Sequence, residues 1–120
     1  MKTQMATLLL LVFSSFTFQQ HEIVGTWKYN DPDGNTLMIQ FNEDKSYEVD
    51  FDNDGAYDLN GTYTTEGTNL TIKDAVGDCQ GMAGVYTMTF DAFKLKLSQV
   101  SEACPARQVE EGTILEFSRQ

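Results

Sequence analysis

The sequence predicts an all-β domain: an antiparallel up-and-down meander of about eight short strands that closes into a small barrel. Three observations carry this. From Ile23 to Phe117 apolar residues recur at every second position, the period of a half-buried strand. Short polar turn sequences separate the runs, and no stretch follows the helical period.

In the first run Ile23, Gly25, Trp27 and Tyr29 share a face, with Thr26 and Lys28 opposite. Leu37, Ile39 and Phe41 repeat the pattern against Met38 and Gln40, and Tyr47, Val49 and Phe51 against Glu48 and Asp50. Tyr57, Leu59, Gly61 and Tyr63 follow, then the shorter pair Leu70 and Ile72. Tyr86, Met88 and Phe90 form the next strand, and Phe93, Leu95 and Leu97 oppose Lys94 and Lys96. Leu115 and Phe117 end the series.

The connections agree with this reading. Asp31-Pro32-Asp33-Gly34 has proline and glycine where a type I turn prefers them. Asn42-Glu43-Asp44-Lys45, Asp52-Asn53-Asp54-Gly55, Glu66-Gly67-Thr68-Asn69 and Asp91-Ala92 are hairpin signals. Strands joined by such turns are antiparallel neighbours, and a meander of this length avoids exposed edges by closing on itself. Two hairpins echo each other: Gly61-Thr62-Tyr63-Thr64 leads on to Cys79, and Gly84-Val85-Tyr86-Thr87 leads on to Cys104. In a meander the two cysteine-bearing loops fall at the same end, two strands apart.

The N-terminus predicts export. Lys2, the apolar run Leu8 to Phe13 and the small residues Ser14, Ser15 and Thr17 make residues 1–18 read as a signal peptide, leaving 19–120 as one domain. The apolar run is too short to span a bilayer, so the expected location is secreted or periplasmic with no membrane insertion. In an oxidising compartment Cys79 and Cys104 are most simply one disulfide, the alternatives being two free reactive thiols or a metal pair. Closing that loop is worth about 3.5 kcal/mol on the chain-entropy relation. The net charge is −10, and −11 once Lys2 is removed, which excludes nucleic acid and anionic membranes as partners.

Gly25-Thr26-Trp27 on the first strand, ahead of a meander that follows a leader, resembles the lipocalin and avidin group of calycin barrels. That resemblance implies a lipocalin-like barrel whose base is closed by Trp27, with a basic residue of the last strand, here Arg119, lying over it. It also implies binding of a small hydrophobic molecule, with Trp27, Tyr63, Phe90 and Phe117 as the lining residues. The chain is shorter than a typical lipocalin and has no helix after the barrel. Its inward set of Trp27, Phe41, Tyr47, Phe51, Tyr63, Tyr86, Phe90, Phe93 and Phe117 favours a filled interior, since an eight-stranded barrel leaves room only for side chains or one small ligand.

Candidate chemistry elsewhere is sparse. Asp50, Asp52, Asp54 and Asp58 occupy positions one, three, five and nine of a calcium loop, with Gly55 at the turn, but Gly61 stands where the bidentate carboxylate belongs. A hairpin with a polar tip is the simpler reading, so no metal or other cofactor is assigned. His21 is the only histidine, which leaves no Ser-His or Cys-His pair and no histidine-based zinc site. No Asp or Glu is expected on an inward, apolar-flanked position, and the chain is read as non-enzymatic. Asn60-Gly61-Thr62 and Asn69-Leu70-Thr71 match the glycosylation pattern, which matters only in a eukaryotic secretory route. The loop from Val100 to Gly112, pinned by Cys104, is a candidate recognition element or a covalent clasp. Two functions stay open: a secreted binder of a small hydrophobic molecule, or a protein-interaction, protease-inhibitor-like module with a filled core.

Overall fold

The computed structural model describes residues 22–120; the leader-like segment 1–18 and His21 lie outside the described residues. Eight strands follow one another: β1 (Gly25–Asn30), β2 (Thr36–Phe41), β3 (Ser46–Asp50), β4 (Leu59–Glu66), β5 (Asn69–Asp74), β6 (Ala83–Asp91), β7 (Lys94–Glu102) and β8 (Ile114–Arg119). Each pairs antiparallel with the next, and β8 returns to β1, so the sheet closes as a barrel with no crossover. The expected all-β meander is the observed fold. A single 3-10 turn, Pro105–Arg107, lies between β7 and β8.

Closure rests on a short seam. Only Trp27 with Arg119 and Lys28 with Ser118 pair across β1 and β8, extended by the Gln120 N–H donating to the Thr26 carbonyl at 2.9 Å. The Arg119 side chain adds hydrogen bonds to the carbonyls of Val24, at 3.1 Å, and Glu22. The chain before β1 is thereby tied to its last strand.

Apart from Phe51 and Phe93, the large inward residues are those the alternation predicts. Trp27, Phe41, Tyr47, Tyr63, Leu70, Leu95 and Phe117 are buried in one core, with Phe90, Leu59 and Ile72 packed against it. Burial of each large side chain contributes roughly 1.5–3 kcal/mol. Phe41 packs edge-on against Tyr63 with centroids 5.0 Å apart, and Trp27 meets Phe90 at 6.2 Å. The Trp27 indole N–H donates to the Ile23 carbonyl at 2.8 Å, so the buried ring leaves no donor unsatisfied.

Two expected core residues are outside, and one strand starts later than predicted. Phe51 is 52% exposed because β3 stops at Asp50, whose carboxylate accepts the N–H groups of Asp54 at 3.2 Å and Gly55 at 2.9 Å and turns the chain. Asn53 in that turn has a left-handed φ of 54°. Tyr57 stays in the loop, 48% exposed, and β4 begins at Leu59. Phe93 is 74% exposed: Asp91 pairs with Lys94, which leaves Ala92 and Phe93 as a two-residue turn with Ala92 at φ 53°. At the other end of this hairpin β7 runs on to Glu102, so Val100 to Glu102, expected as loop, are strand. Here the register slips. Tyr86 opposes Gln99 while Val85 opposes Ser101, and Val100 bulges outward.

Candidate functional site at the disulfide-clasped end

Four loops share one end of a meander of eight strands: 31–35, 51–58, 75–82 and 103–113. Cys79 and Cys104 sit in the third and fourth of these and are bonded, with Cα atoms 5.4 Å apart. The pairing and its placement at one end are as the two hairpins predicted. Both sulfurs are buried, so the bond is a clasp beneath the loops.

Beneath this clasp lies a buried polar cluster that the alternation pattern was not expected to contain. Asp74, at the end of β5, is 4% exposed, and the Glu102 side chain, at the end of β7, is 2% exposed. This corrects the expectation that no carboxylate points inward. Arg107 reaches in from the 3-10 turn and binds Glu102 through two parallel hydrogen bonds, Nε to Oε2 at 3.0 Å and Nη2 to Oε1 at 2.9 Å. Its Nη1 lies 2.9 Å from Asp74 Oδ1, and Nη2 also donates to the Met82 carbonyl at 2.7 Å.

Two tyrosines complete the cluster from the barrel wall. The Tyr47 hydroxyl donates to Asp74, and the Tyr86 hydroxyl donates to Glu102 Oε2 at 2.6 Å. Gln99 donates to the Arg107 carbonyl at 2.8 Å and accepts from the Val109 N–H at 3.2 Å, holding the loop down onto β7. Burial, then the hydrogen bond to Asp74, pushes the Tyr47 phenol far above its ordinary value; burial and Glu102 do the same to Tyr86. Burial works against ionisation of Glu102, but hydrogen bonds from Arg107, Tyr86 and the Cys104 N–H outweigh it and hold its carboxyl below the ordinary value.

Glycines make the room. A Cβ on Gly61 would stand 2.6 Å from the Tyr47 oxygen, so the ring crosses to Asp74 over a position that admits no side chain. A Cβ on Gly84 would meet the Glu102 carboxyl carbon and a Tyr86 ring carbon, both at 3.0 Å.

The four residues expected to line a ligand site belong to the core. Trp27 and Tyr63 are 0% and 2% exposed, and Phe117 packs on Tyr29 with centroids 5.3 Å apart. Tyr63 donates its hydroxyl to the Asn42 carbonyl at 2.6 Å. Two surface grooves flank the barrel. One of about 350 Å³ runs between Ser98–Glu102 and Gln108–Thr113; the other, of about 310 Å³, lies at the opposite end between Glu22, Gly67, Thr68 and Met88–Phe90. Of the four, only Phe90 borders either groove.

The acidic hairpin is gathered as its spacing predicts. Carboxylate oxygens of Asp50, Asp52, Asp54 and Asp58 lie within 4.8 Å of one another, Asp50 buried and the others exposed. Both Asp50 oxygens are used by the N–H groups of its own turn, which is the polar hairpin tip of the simpler reading.

Asp74 was legible in principle, because it continues the Leu70, Ile72 face by one more step. Glu102 was not. Counted from Leu95 and Leu97 the inward position would be Ser101, and only the bulge at Val100 turns Glu102 inward instead. Comparison of the chain with known protein families and with curated proteins finds no match.

Proposed function

We propose that this protein is an exported, non-enzymatic, lipocalin-like module that recognises a protein partner through its disulfide-clasped loop end and has a filled interior. The filled interior carries the choice between the two functions left open by the sequence. Of the four residues expected to line a small hydrophobic ligand, Trp27, Tyr63 and Phe117 are buried among their own neighbours, and Phe90 borders only an open groove of about 310 Å³. A binder of small molecules needs a concave apolar cavity. The lipocalin-like assignment is supported by the closed meander of eight strands and by Gly25-Thr26-Trp27 on β1 beneath the guanidinium of Arg119. Export is supported by the leader-like residues 1–18 together with the disulfide.

The loops suit recognition, being exposed at their tips, with 75–82 and 103–113 tied together by the disulfide and by Arg107. Val76 and Met82 are exposed on the clasped 75–82 loop, and Phe51 and Tyr57 on the 51–58 loop at the same end. A preorganised surface loses less entropy on binding. The test is uptake of the apolar dye N-phenyl-1-naphthylamine, with the native mass of the protein recovered from the medium. No stoichiometric fluorescence gain and a clean apo mass are expected. Saturable one-to-one uptake, or a retained lipid mass, would overturn the reading.

A further inference from the structure

The apolar tips at the loop end are set in charge of one sign. Asp33 stands on loop 31–35, Asp52, Asp54 and Asp58 on 51–58, Asp78 on 75–82, and Glu110 and Glu111 on 103–113, all exposed. Arg107 is the only cation in these four loops, and its guanidinium is consumed by Asp74 and Glu102 beneath them. Lys73, shortly before the 75–82 loop in sequence, is exposed on β5 outside the loops. At the opposite end the turns 42–45, 67–68 and 92–93 carry only Glu43 and Asp44 against Lys45. The negative charge of the loops is therefore gathered at one end of the barrel.

Three of the loops form one continuous surface. The Ala75 N–H donates to the Asn60 carbonyl at 2.8 Å, which joins the 75–82 loop to the start of β4 just past 51–58. Arg107 bonds the Met82 carbonyl, and the disulfide joins 75–82 to 103–113. Phe51, Val76 and Met82 are exposed on this surface among the carboxylates, and Tyr57 lies half-exposed beside it, its hydroxyl donating to Gln40 on β2. A hydrogen bond with Asp50, partial desolvation and the charges of Asp54 and Asp58 raise the Asp52 carboxyl.

We propose that the loop end docks a cationic amphipathic partner, a basic protein segment whose lysines or arginines meet the carboxylates while its apolar side chains cover Phe51 and Tyr57. This inference rests on the reading of the barrel as a protein-recognition module and names the chemistry of what it recognises. Charge decides between occupants. A second copy docked end to end would oppose like charges, and an anionic lipid surface or a nucleic acid would be repelled. Exposed aromatics ringed by one sign of charge are kept from self-association and remain available to a partner of the opposite sign.

The experiment uses the exported chain and two peptides of equal positive charge, one alternating lysine with leucine and one of lysine with glycine. Binding is followed by fluorescence anisotropy at about 0.05 M and about 0.5 M salt, where screening differs most. The Lys-Leu peptide is expected to bind at least about tenfold more tightly than the Lys-Gly peptide, a gap of about 1.4 kcal/mol. Asp52→Asn with Asp54→Asn is expected to weaken it by about tenfold and flatten its salt dependence, while Glu43→Gln with Asp91→Asn, the same charge change at the far end, moves it less than about twofold. Phe51→Ser with Tyr57→Ser is expected to remove the preference for Lys-Leu. Equal binding of the two peptides, equal effects of the two neutralised pairs, or no binding at low salt would overturn the proposal. Failure here with no dye uptake leaves the filled module standing and removes only its cationic partner; dye uptake overturns the module itself.

Discussion

The guanidinium of Arg119 lies over the indole of Trp27, 4.2 Å from the ring centroid, and joins the last strand of the barrel to the first. The same side chain binds the carbonyls of Val24 and Glu22, so one residue supplies a cation–π contact and two charge-assisted hydrogen bonds at a seam with two register pairs. Arg119→Ala is expected to cost about 2–4 kcal/mol in urea denaturation. Arg119→Lys should recover only part of it, because an ammonium cannot stack and fork at once. A loss below about 0.5 kcal/mol for the alanine variant would mean that the seam is held elsewhere.

Arg107 faces two carboxylates that are almost wholly buried. Its removal leaves both without their cation, and Arg107→Ala is expected to destabilise the fold by about 3–5 kcal/mol. Replacing Glu102 and Asp74 by Gln and Asn in that background should restore a measurable part of the loss, as a thermal melt of the triple variant would show. If the triple variant is no more stable than Arg107→Ala, uncompensated charge is not the cause.

The cluster also sets a pH response. Glu102 is held below its ordinary value of 4.5, so between the folded and unfolded values the unfolded chain binds more protons. Its contribution is complete above the unfolded value and is lost as pH falls through the folded one. Melting temperature is therefore expected to drop as pH falls from about 5 to about 3, and to drop less steeply in Glu102→Gln. At high pH the sign reverses for Tyr47 and Tyr86, whose raised phenols favour the folded form only while protonated. Their ionisation, read at the tyrosinate absorbance, should coincide with alkaline unfolding.

Gly61 is the position over which Tyr47 crosses to Asp74. Gly61→Ala is expected to cost about 1–3 kcal/mol by overpacking, and Tyr47→Phe in the same chain should not relieve it, because the Lys73 carbonyl and the ring both remain. Denaturant midpoints of the two single variants and the double variant measure this. An alanine as stable as glycine would show that the Tyr47 ring and the Lys73 carbonyl both move aside freely.

The strand order, the closed meander and the disulfide follow from the sequence because period-two burial and short turns are local signals. The Trp27 to Arg119 contact was legible through the first-strand motif and a basic residue near the chain end. Phe51 and Phe93 were misplaced for one reason: alternation continues to count past the last paired residue, whereas a turn tilts its side chains into solvent. The buried cluster was hidden more deeply. Arg107 is a loop residue whose partners lie in other strands, and Glu102 faces inward only because Val100 bulges.

What the sequence determined by itself is a stapled β barrel with an aromatic core, since alternation and cysteine count depend on neighbours along the chain. What the tertiary structure decided is where the polar groups go. Asp74, Glu102 and Arg107 sit in the interior because glycines at 61 and 84 leave space there and a one-residue slip between β6 and β7 turns the last carboxylate inward. Such register and volume effects arise only when strands meet.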